Sequence, residues 1–266
     1  MKPQVNFVVA LQNEAKPLIE YYKLTLLHHY PFKVYKNENK WLIVSKVGNK
    51  MIKKACLHLS EISHSHLNTV WLNVGTAGHL HYPLGTILIA NKIIDDHTKA
   101  IYYPSQIIKD NLKSTIVRTV EKNVNDYNEK EIFDMEASGF FHICSKISLN
   151  ELICSIKIIS DNKEFPNFNN KLIYSLIKNS LNNLSGIVDQ FYKLSKKQCS
   201  FVLTNEHFEI FLNKWHFSFT QTFQLKKKLN KLRFLKPKID YFNESKSCKN
   251  SKEVLNFLEN ELLNYD

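Results

Sequence analysis

The sequence lacks the long apolar runs, paired cysteines and clustered metal ligands that mark several large classes of protein. Its 266 residues contain no uncharged stretch near the roughly 20 residues that a membrane helix requires. The chain begins with a short polar segment that leads into a strand rather than into the apolar region of a signal peptide. We therefore expect no membrane association and a cytoplasmic location.

The five cysteines are odd in number and have no paired spacing such as Cys-x-x-Cys. This pattern supports neither a disulfide framework nor a zinc site. The closely spaced histidines, such as His64 and His66, have no carboxylate at ligand spacing nearby. The sequence therefore predicts no metal ion and no cofactor.

Arginine is scarce, since only Arg118 and Arg233 occur, but lysine brings the formal net charge to +11. A charge of this size favours polyanionic partners, yet lysine abundance can also follow from genome composition. The charge alone therefore does not predict a nucleic-acid partner. The lysine-rich C-terminal segment is the one place where we keep that alternative open.

Strand-like and helix-like segments alternate along the first part of the chain. Val5–Ala10 is a nearly continuous apolar run, as expected of a strand covered on both faces. The alternation predicts an α/β fold with a mixed central sheet flanked by helices. The predicted strands are Val5–Ala10, Phe32–Tyr35, Trp41–Val44, Val70–Val74, Gly85–Ile89, Ile93–Ile94 and Ile153–Ile159, and the predicted helices are Glu14–Tyr22, Lys50–Ser60, Glu136–Lys146 and Asn169–Tyr192.

The helical pattern breaks near Ser195–Ser200, which predicts two domains, residues 1–197 and residues 198–266. The second is predicted to be a lysine-rich helical extension, in which Ser218 and Gln221 have the spacing of a capping box. We expect its apolar stripes to pack on the first domain or on a partner subunit, because they are too large to leave in water. The stripe residues are Phe208, Phe211, Leu212, Trp215, Leu225, Leu229 and Leu232.

Three polar segments each follow an apolar run, which predicts them at the carboxyl ends of strands, where open α/β sheets form binding crevices. They are Asn73-Val-Gly-Thr-Ala-Gly78, Asp134-Met-Glu-Ala-Ser138 and Ile158-Ile-Ser-Asp-Asn162. In this order, and with Val5–Ala10 and Val44-Ser-Lys-Val-Gly48, they resemble the nucleoside phosphorylase and nucleosidase superfamily, above all its methylthioadenosine/S-adenosylhomocysteine nucleosidases. The resemblance runs to about Lys197.

The resemblance implies a nucleoside phosphorylase-like fold and an N-ribosyl hydrolase that frees the base from a purine-type nucleoside. It also implies a homodimer. Asp161 would face N7 of the purine and protonate it, Glu136 would bind both ribose hydroxyls, and Glu14 would activate the attacking water. Met135 would pack against the ribose. The other substrate-binding positions that it implies are Thr76, Gly78 and Ser160.

Each of these residues also has an ordinary structural explanation. Asp161 is suited to capping the turn after its strand, and Glu14 and Glu136 are suited to the first turn of a helix. Met135 is suited to core packing. The sequence alone leaves both explanations open.

Hydrolysis is favoured over phosphorolysis because Leu11-Gln-Asn-Glu14 has no glycine and no arginine precedes Arg118. Phosphorolytic members have a glycine-rich turn at this place and arginines that hold phosphate. A phosphorylase stays an alternative, as does an inactive nucleoside-binding module whose tail binds nucleic acid or protein. The short connection at Lys99–Val117, where the nucleosidases have a longer excursion, favours the module.

Two further positions depart from the family pattern. His79 replaces a common glycine and is expected to face solvent at the pocket rim, and Lys157 stands where many relatives carry an arginine. The phenylalanine that stacks on adenine in the nucleosidases has no clear counterpart, and Asn123 and Val124 are the nearest positions.

Overall fold

The structure is a computed structural model that describes residues 2–107, 112–122, 127–165, 169–201, 205–236 and 238–263. Its chain divides into two units, Lys2–Ser195 and Lys196–Asp266. The first unit contains every strand of the described residues, and the second is helical.

A mixed sheet is the framework of the first unit. Its strands are β1 (Val5–Val9), β2 (Thr25–His28), β3 (Lys33–Lys36), β4 (Lys40–Val44), β5 (Val70–Gly78), β6 (Ile87–Asp95), β7 (Ile101–Tyr102), β8 (Lys113–Thr119), β9 (Glu131–Asp134) and β10 (Ile153–Asp161). Strand β1 pairs in parallel with β4 and β5, and β5 pairs in parallel with β10. Strands β5, β10, β6, β8 and β9 form a closed series of neighbours, because β9 also pairs with β5.

Helices cover both faces of the sheet. They are α1 (Gln12–Tyr21), α2 (Asn49–Ile62), α3 (Ala137–Ile147), α4 (Asn170–Asn179) and α5 (Leu181–Phe201). Because side chains alternate along a strand, Phe7 packs with α1, α4 and α5 in one apolar core, whereas Val8 packs with α2 and α3 in the other. The predicted mixed sheet flanked by helices is therefore confirmed.

Several element predictions in this unit were wrong. Strands β2, β8 and β9 were missed because they are short or carry many polar residues. Gly85–Ile89 and Ile93–Ile94 were predicted as separate strands, but both overlap one strand, β6. The short connection Lys99–Val117, for which no strand was predicted, contains β7 and most of β8.

The predicted helix Asn169–Tyr192 is interrupted near Ser180, where α4 ends. The Ser180 hydroxyl donates a hydrogen bond of 2.8 Å to the Leu176 carbonyl, which satisfies one of the carbonyls left open at the helix end. Helix α5 then continues through the region where a break in helical pattern was predicted. The polar residues Lys196, Lys197 and Gln198 interrupt the helical spacing of apolar residues there, but the helix itself continues.

The second unit consists of α6 (Asn205–Lys214), α7 (Phe219–Leu235), α8 (Tyr241–Glu244) and α9 (Ser251–Leu263). The predicted capping box is confirmed at α7, since Ser218 Oγ accepts a bond from Gln221 N and Gln221 Oε1 accepts one from Ser218 N. None of the described helices in either unit is both long and apolar enough to span a bilayer.

The apolar stripes of the second unit pack against one another in a core of their own. The expectation that they pack on the first domain or on a partner was therefore wrong. The sequence could not reveal this because the residues that the stripes of α6 and α7 pack against lie in α8 and α9, and no local pattern connects them. The buried members of this core are Phe211, Trp215, Phe217, Leu225, Leu229, Leu232, Tyr241, Val254, Leu255 and Leu258.

Candidate active site

The carboxyl ends of the parallel strands β1, β5 and β10 border a cavity of about 570 Å³. Parallel neighbours end at the same edge of a sheet, so polar residues that follow these strands converge there. The cavity is lined by all of the residues for which the sequence predicted a catalytic or substrate-binding role: Glu14, Thr76, Gly78, Met135, Glu136, Ser160 and Asp161.

Glu14 is a buried carboxylate held from two sides. Its Oε2 accepts a bond of 3.0 Å from Leu11 N at the start of α1. Its Oε1 accepts bonds from Thr76 N and Thr76 Oγ1, at 2.7 Å and 2.9 Å. Glu14 is thus both a first-turn helix residue and a cavity residue. Burial raises its pKa above the ordinary value, although the hydrogen bonds from Leu11 and Thr76 oppose that shift.

Lys157 is the most deeply buried cation among the described residues, with 1% of the residue exposed. Its Nζ lies 2.7 Å from Asp134 Oδ2. Burial alone would lower the pKa of Lys157, but the neighbouring carboxylates Asp134, Glu136 and Glu14 raise it above its usual value. The ammonium group therefore stays charged and holds together carboxylates from β9, α1 and the start of α3.

Asp134 has a structural role that the sequence did not predict. Besides the ion pair, its Oδ2 accepts a bond from Ala137 N at 2.8 Å, and its Oδ1 accepts one from Thr119 Oγ1 at 2.7 Å. A carboxylate at the N-terminus of a helix satisfies backbone groups and interacts well with the helix dipole. Asp134 therefore fixes the start of α3 and, with it, the position of Glu136.

Glu136 lies beside the cavity with one oxygen anchored. Its Oε1 accepts a 2.7 Å bond from Gly48 N, the backbone group that precedes α2. Burial raises the pKa of Glu136 to about 7, and the charge of Asp134 adds to the shift, while Lys157 and the Gly48 bond oppose it. The second oxygen has no recorded protein partner among the described residues, so it is available to a ligand hydroxyl.

Asp161 ends β10 and is buried, with both of its carboxylate oxygens accepting hydrogen bonds. Ser160 Oγ donates to Oδ1 at 2.6 Å, and the hydroxyl of Tyr127 donates to Oδ2. A side chain at Gly78 would meet the Tyr127 ring and would lie 2.6 Å from Asp161 Oδ2. Glycine at position 78 is therefore required by close packing. A ligand that binds at Oδ2 shares this oxygen with the tyrosine hydroxyl or displaces it.

His79 is buried rather than solvent-facing, so the expectation for it was wrong. Its Nδ1 accepts bonds from His81 N and Tyr82 N at 3.0 Å and 2.9 Å, which assigns the ring proton to Nε2. The Nε2 group lies 3.3 Å from the Glu129 carbonyl. Burial lowers the pKa of His79, so the ring is neutral and holds the segment that carries Tyr127.

Met135 lines the cavity and is half-buried, and it is absent from both apolar cores. Its position is therefore compatible with contact to a ligand. Asn123 and Val124, the suggested substitutes for the adenine-stacking phenylalanine, lie outside the described residues. Tyr127 and Phe133 are the aromatic residues that line the described part of the cavity, and their ring centroids lie 5.6 Å apart.

Three features of the site were missed from the sequence: the burial of Lys157, the role of Asp134 and the contact of Tyr127. Lysine is rarely buried, so its place in an otherwise apolar strand was the only available signal. Asp134 follows a short strand and precedes an apolar helix, which is the pattern of a capping residue. No sequence pattern places Tyr127 against Asp161, because the two are 34 residues apart.

No protein-family model matches the sequence, and no curated protein matches it. Many solved structures do match the chain. A methylthioadenosine/S-adenosylhomocysteine nucleosidase from Helicobacter pylori, bound to butyl-thio-DADMe-Immucillin-A, is 14% identical, with a TM-score of 0.60 over 71% of this chain and 99% of that chain.

Two further structures have the same fold. The methylthioadenosine/S-adenosylhomocysteine nucleosidase of Campylobacter jejuni is 18% identical, with a TM-score of 0.56 over 73% of this chain and 99% of that one. Futalosine hydrolase of Helicobacter pylori is 14% identical, with a TM-score of 0.57 over 71% and 98%. The relatives are matched over almost their whole length and leave more than a quarter of this chain unmatched. The chain therefore has the fold of the methylthioadenosine/S-adenosylhomocysteine nucleosidases and futalosine hydrolase.

Proposed function

We propose that the protein is an N-ribosyl hydrolase that cleaves the N-glycosidic bond of a purine-type nucleoside and releases the free base and the sugar. The observation that carries the proposal is the convergence of Glu14, Glu136 and Asp161 on one cavity at the strand ends. Similar structures include nucleosidases and a hydrolase, which supports the same class of reaction.

Each carboxylate supports one requirement of the reaction. Asp161 supplies a proton or a strong hydrogen bond to the departing base, an effect worth about 10²–10⁴-fold for a positioned general acid. The free oxygen of Glu136 accepts bonds from the ribose hydroxyls, and its charge favours the cationic sugar that develops as the bond breaks. Met135 covers the sugar, and Ser160 fixes the rotamer of Asp161 through its hydroxyl bond.

Glu14 activates the attacking water in this proposal. Three hydrogen bonds from Leu11 and Thr76 fix the carboxylate at the cavity wall, and its raised pKa makes it a stronger base than an exposed glutamate. Its burial next to Lys157 keeps the carboxylate oriented towards the ribose side of the cavity.

Hydrolysis is preferred over phosphorolysis because the cavity has few cationic side chains that could bind phosphate. Among the described residues that line it there is no arginine, and Arg118 is paired with Glu131 and Asp96. The buried Lys157 is already committed to carboxylates. The described lining therefore has no arginine for bidentate recognition of phosphate, and Lys122, the lysine in that lining, offers only a point charge.

The test is release of free base from a panel of purine nucleosides, including methylthioadenosine and S-adenosylhomocysteine, with and without phosphate. The matched variants are Glu14→Gln and Glu20→Gln, both in α1, where Glu20 is an exposed partner of Tyr174. We expect base release without phosphate, its loss in Glu14→Gln and no change in Glu20→Gln. Glu14→Gln should still bind adenine in calorimetry.

Other outcomes would assign the protein differently. Turnover that requires phosphate would make it a phosphorylase. Binding of nucleosides by the parent protein without release of base would make it an inactive binding module. If Glu14→Gln no longer bound adenine and also had a lower melting temperature, Glu14 would have a structural role only.

We also propose a cytosolic homodimer. The cysteines form no disulfide within the described part of the chain, as expected in a reducing compartment. Val47 lines the cavity with 43% of its surface exposed, and Leu57 on α2 is 48% exposed. A second copy that covers exposed apolar residues beside the cavity would exclude water from the reaction. Light scattering on the purified chain, at concentrations across the micromolar range, measures the oligomeric state directly.

A further inference from the structure

The second unit contains a cleft of about 550 Å³ between α7 and α9. Lys227, Lys228 and Lys231 line it from α7, and Lys252 lines it from α9. Residues three and four positions apart lie on the same face of a helix, so the three lysines of α7 present their charges side by side. The volume is within the range of about 300–1,000 Å³ that is usual for small-molecule sites.

The positive charge of this cleft is poorly neutralised. Glu259 is the acidic residue in its lining, and it pairs with Lys228. No carboxylate of the described part of the chain forms an ion pair with Lys227, Lys231 or Lys252. Partial burial lowers the pKa of Lys228, and repulsion from Lys231 and Lys227 lowers it further. The lysines therefore repel one another when no anion is bound.

The other residues that line the cleft are suited to the uncharged part of an anionic ligand. Gln224 and Asn256 supply amide groups, which both donate and accept hydrogen bonds, as the edge of a nucleobase does, and Gln221, whose Oε1 accepts from Ser218 N, adds its amide N–H groups. Leu255 and Leu262 add an apolar surface. Charged, amide and apolar groups thus surround one space large enough for a base, a sugar and its phosphates.

We propose that this cleft binds a nucleoside diphosphate or triphosphate, with the phosphates between Lys227 and Lys231 and the base against the amide groups at the end of the cleft where Lys252 lies. Phosphate groups would replace the repulsion among the lysines with charge-assisted hydrogen bonds. The site lies wholly within the second unit, so the proposal does not depend on the N-ribosyl hydrolase function. A nucleic-acid strand offers the same phosphate chemistry, and the test separates the two.

The experiment is calorimetric titration of the full chain with adenosine triphosphate, inorganic triphosphate, adenosine and a single-stranded 20-nucleotide DNA. The test variant is Lys227→Gln with Lys231→Gln. The control, Lys171→Gln with Lys249→Gln, removes the same charge from exposed lysines that do not line the cleft. We expect adenosine triphosphate to bind about tenfold more weakly to the test variant than to the control, because two charge-assisted contacts are lost.

For a second variant we expect the opposite change in affinity for adenosine triphosphate. Glu259→Gln removes the acidic residue from the cleft and frees Lys228, so it should bind adenosine triphosphate more tightly than the parent protein. Adenosine binding should not change in either variant. The proposal is overturned if the parent does not bind the nucleotide, if test and control variants lose affinity equally, if Glu259→Gln weakens binding, or if only the DNA strand binds.

Discussion

The two units of the chain bury different chemistry. The first buries a network of charged groups at the strand ends, including Glu14, Asp134, Glu136 and Lys157, whereas the described buried residues of the second are apolar apart from Ser245. Buried ion pairs are a weak source of stability, because the cost of desolvation offsets the attraction. Perturbed charged groups cluster at functional sites. The buried charges of the first unit therefore contribute little to its stability, which favours a functional role for them, whereas the buried residues of the second unit are those of a stabilising apolar core.

The largest expected effect is on the rate, from Asp161→Asn. Asparagine has nearly the same shape but cannot supply a proton, so release of base should fall by about 10²-fold or more. The melting temperature should change little, because one of the Ser160 and Tyr127 hydroxyls can still donate to the amide oxygen and the other can turn to accept from the amide nitrogen. Steady-state kinetics and a thermal melt on the same preparation test both statements. A variant with the parental rate would remove Asp161 from the mechanism.

The next largest effect is expected from Lys157→Met, which should lower both stability and rate. Methionine has a similar volume, but it leaves Asp134 buried without its counter-charge, which costs about 3–5 kcal/mol of unfolding free energy. Urea unfolding measures the loss. Lys157→Arg is the matched control, because it keeps the charge and should recover most of the stability. If methionine were tolerated without cost, the buried pair would not organise the site.

In the second unit, the change to compare with Lys157→Met is Leu229→Ala, which should lower stability but not the rate. Leu229 is 2% exposed in the apolar core, and truncation of such a residue costs about 2–5 kcal/mol. The loss should appear in the unfolding of the second unit, with base release per folded molecule unchanged. Fluorescence of Trp215, which packs in the same core, follows that unit in a background with Trp41→Phe and Trp71→Phe. A parallel loss of activity would show that the two units do not fold independently.

A smaller effect is expected from pH. Because the pKa of Glu136 is raised from 4.5 to about 7, the folded protein binds more protons than the unfolded chain between these values. Its contribution to stability is therefore favourable below pH 4.5 and is lost as the pH rises through 7. The rate of base release should instead rise as the pH rises through 7, because in the proposed mechanism the ionised carboxylate of Glu136 binds the ribose hydroxyls.

The measurement is kcat/KM and unfolding free energy between pH 5 and pH 9, a window of about two units on either side of neutrality. Both profiles should show a transition near the pKa of Glu136, about 7. Glu136→Gln should remove the transition from the stability profile. A rate that is highest at low pH would contradict the role of an ionised Glu136.

Periodicity and motif order were enough to predict a mixed sheet flanked by helices and to direct attention to Glu14, Glu136 and Asp161, which line one cavity. They failed where the deciding contact is far away in the sequence. Strand β9 is four residues long and is stabilised by its neighbours β8 and β5 rather than by its own composition. The burial of Lys157 depends on Asp134 in another strand, and the packing of Leu225 and Leu229 depends on α9. No local pattern contains these partners.

The hydroxyl of Tyr127 would compete with a bound base for the carboxylate of Asp161. It donates to Asp161 Oδ2, the oxygen that a purine nitrogen would need. When a binding-competent state is only partly populated, the apparent affinity falls in proportion to that fraction. In the proposed mechanism, the affinity for a base would therefore depend on how often the Tyr127 hydroxyl is away from Asp161, and substitution of Tyr127 would change that affinity without changing Glu136.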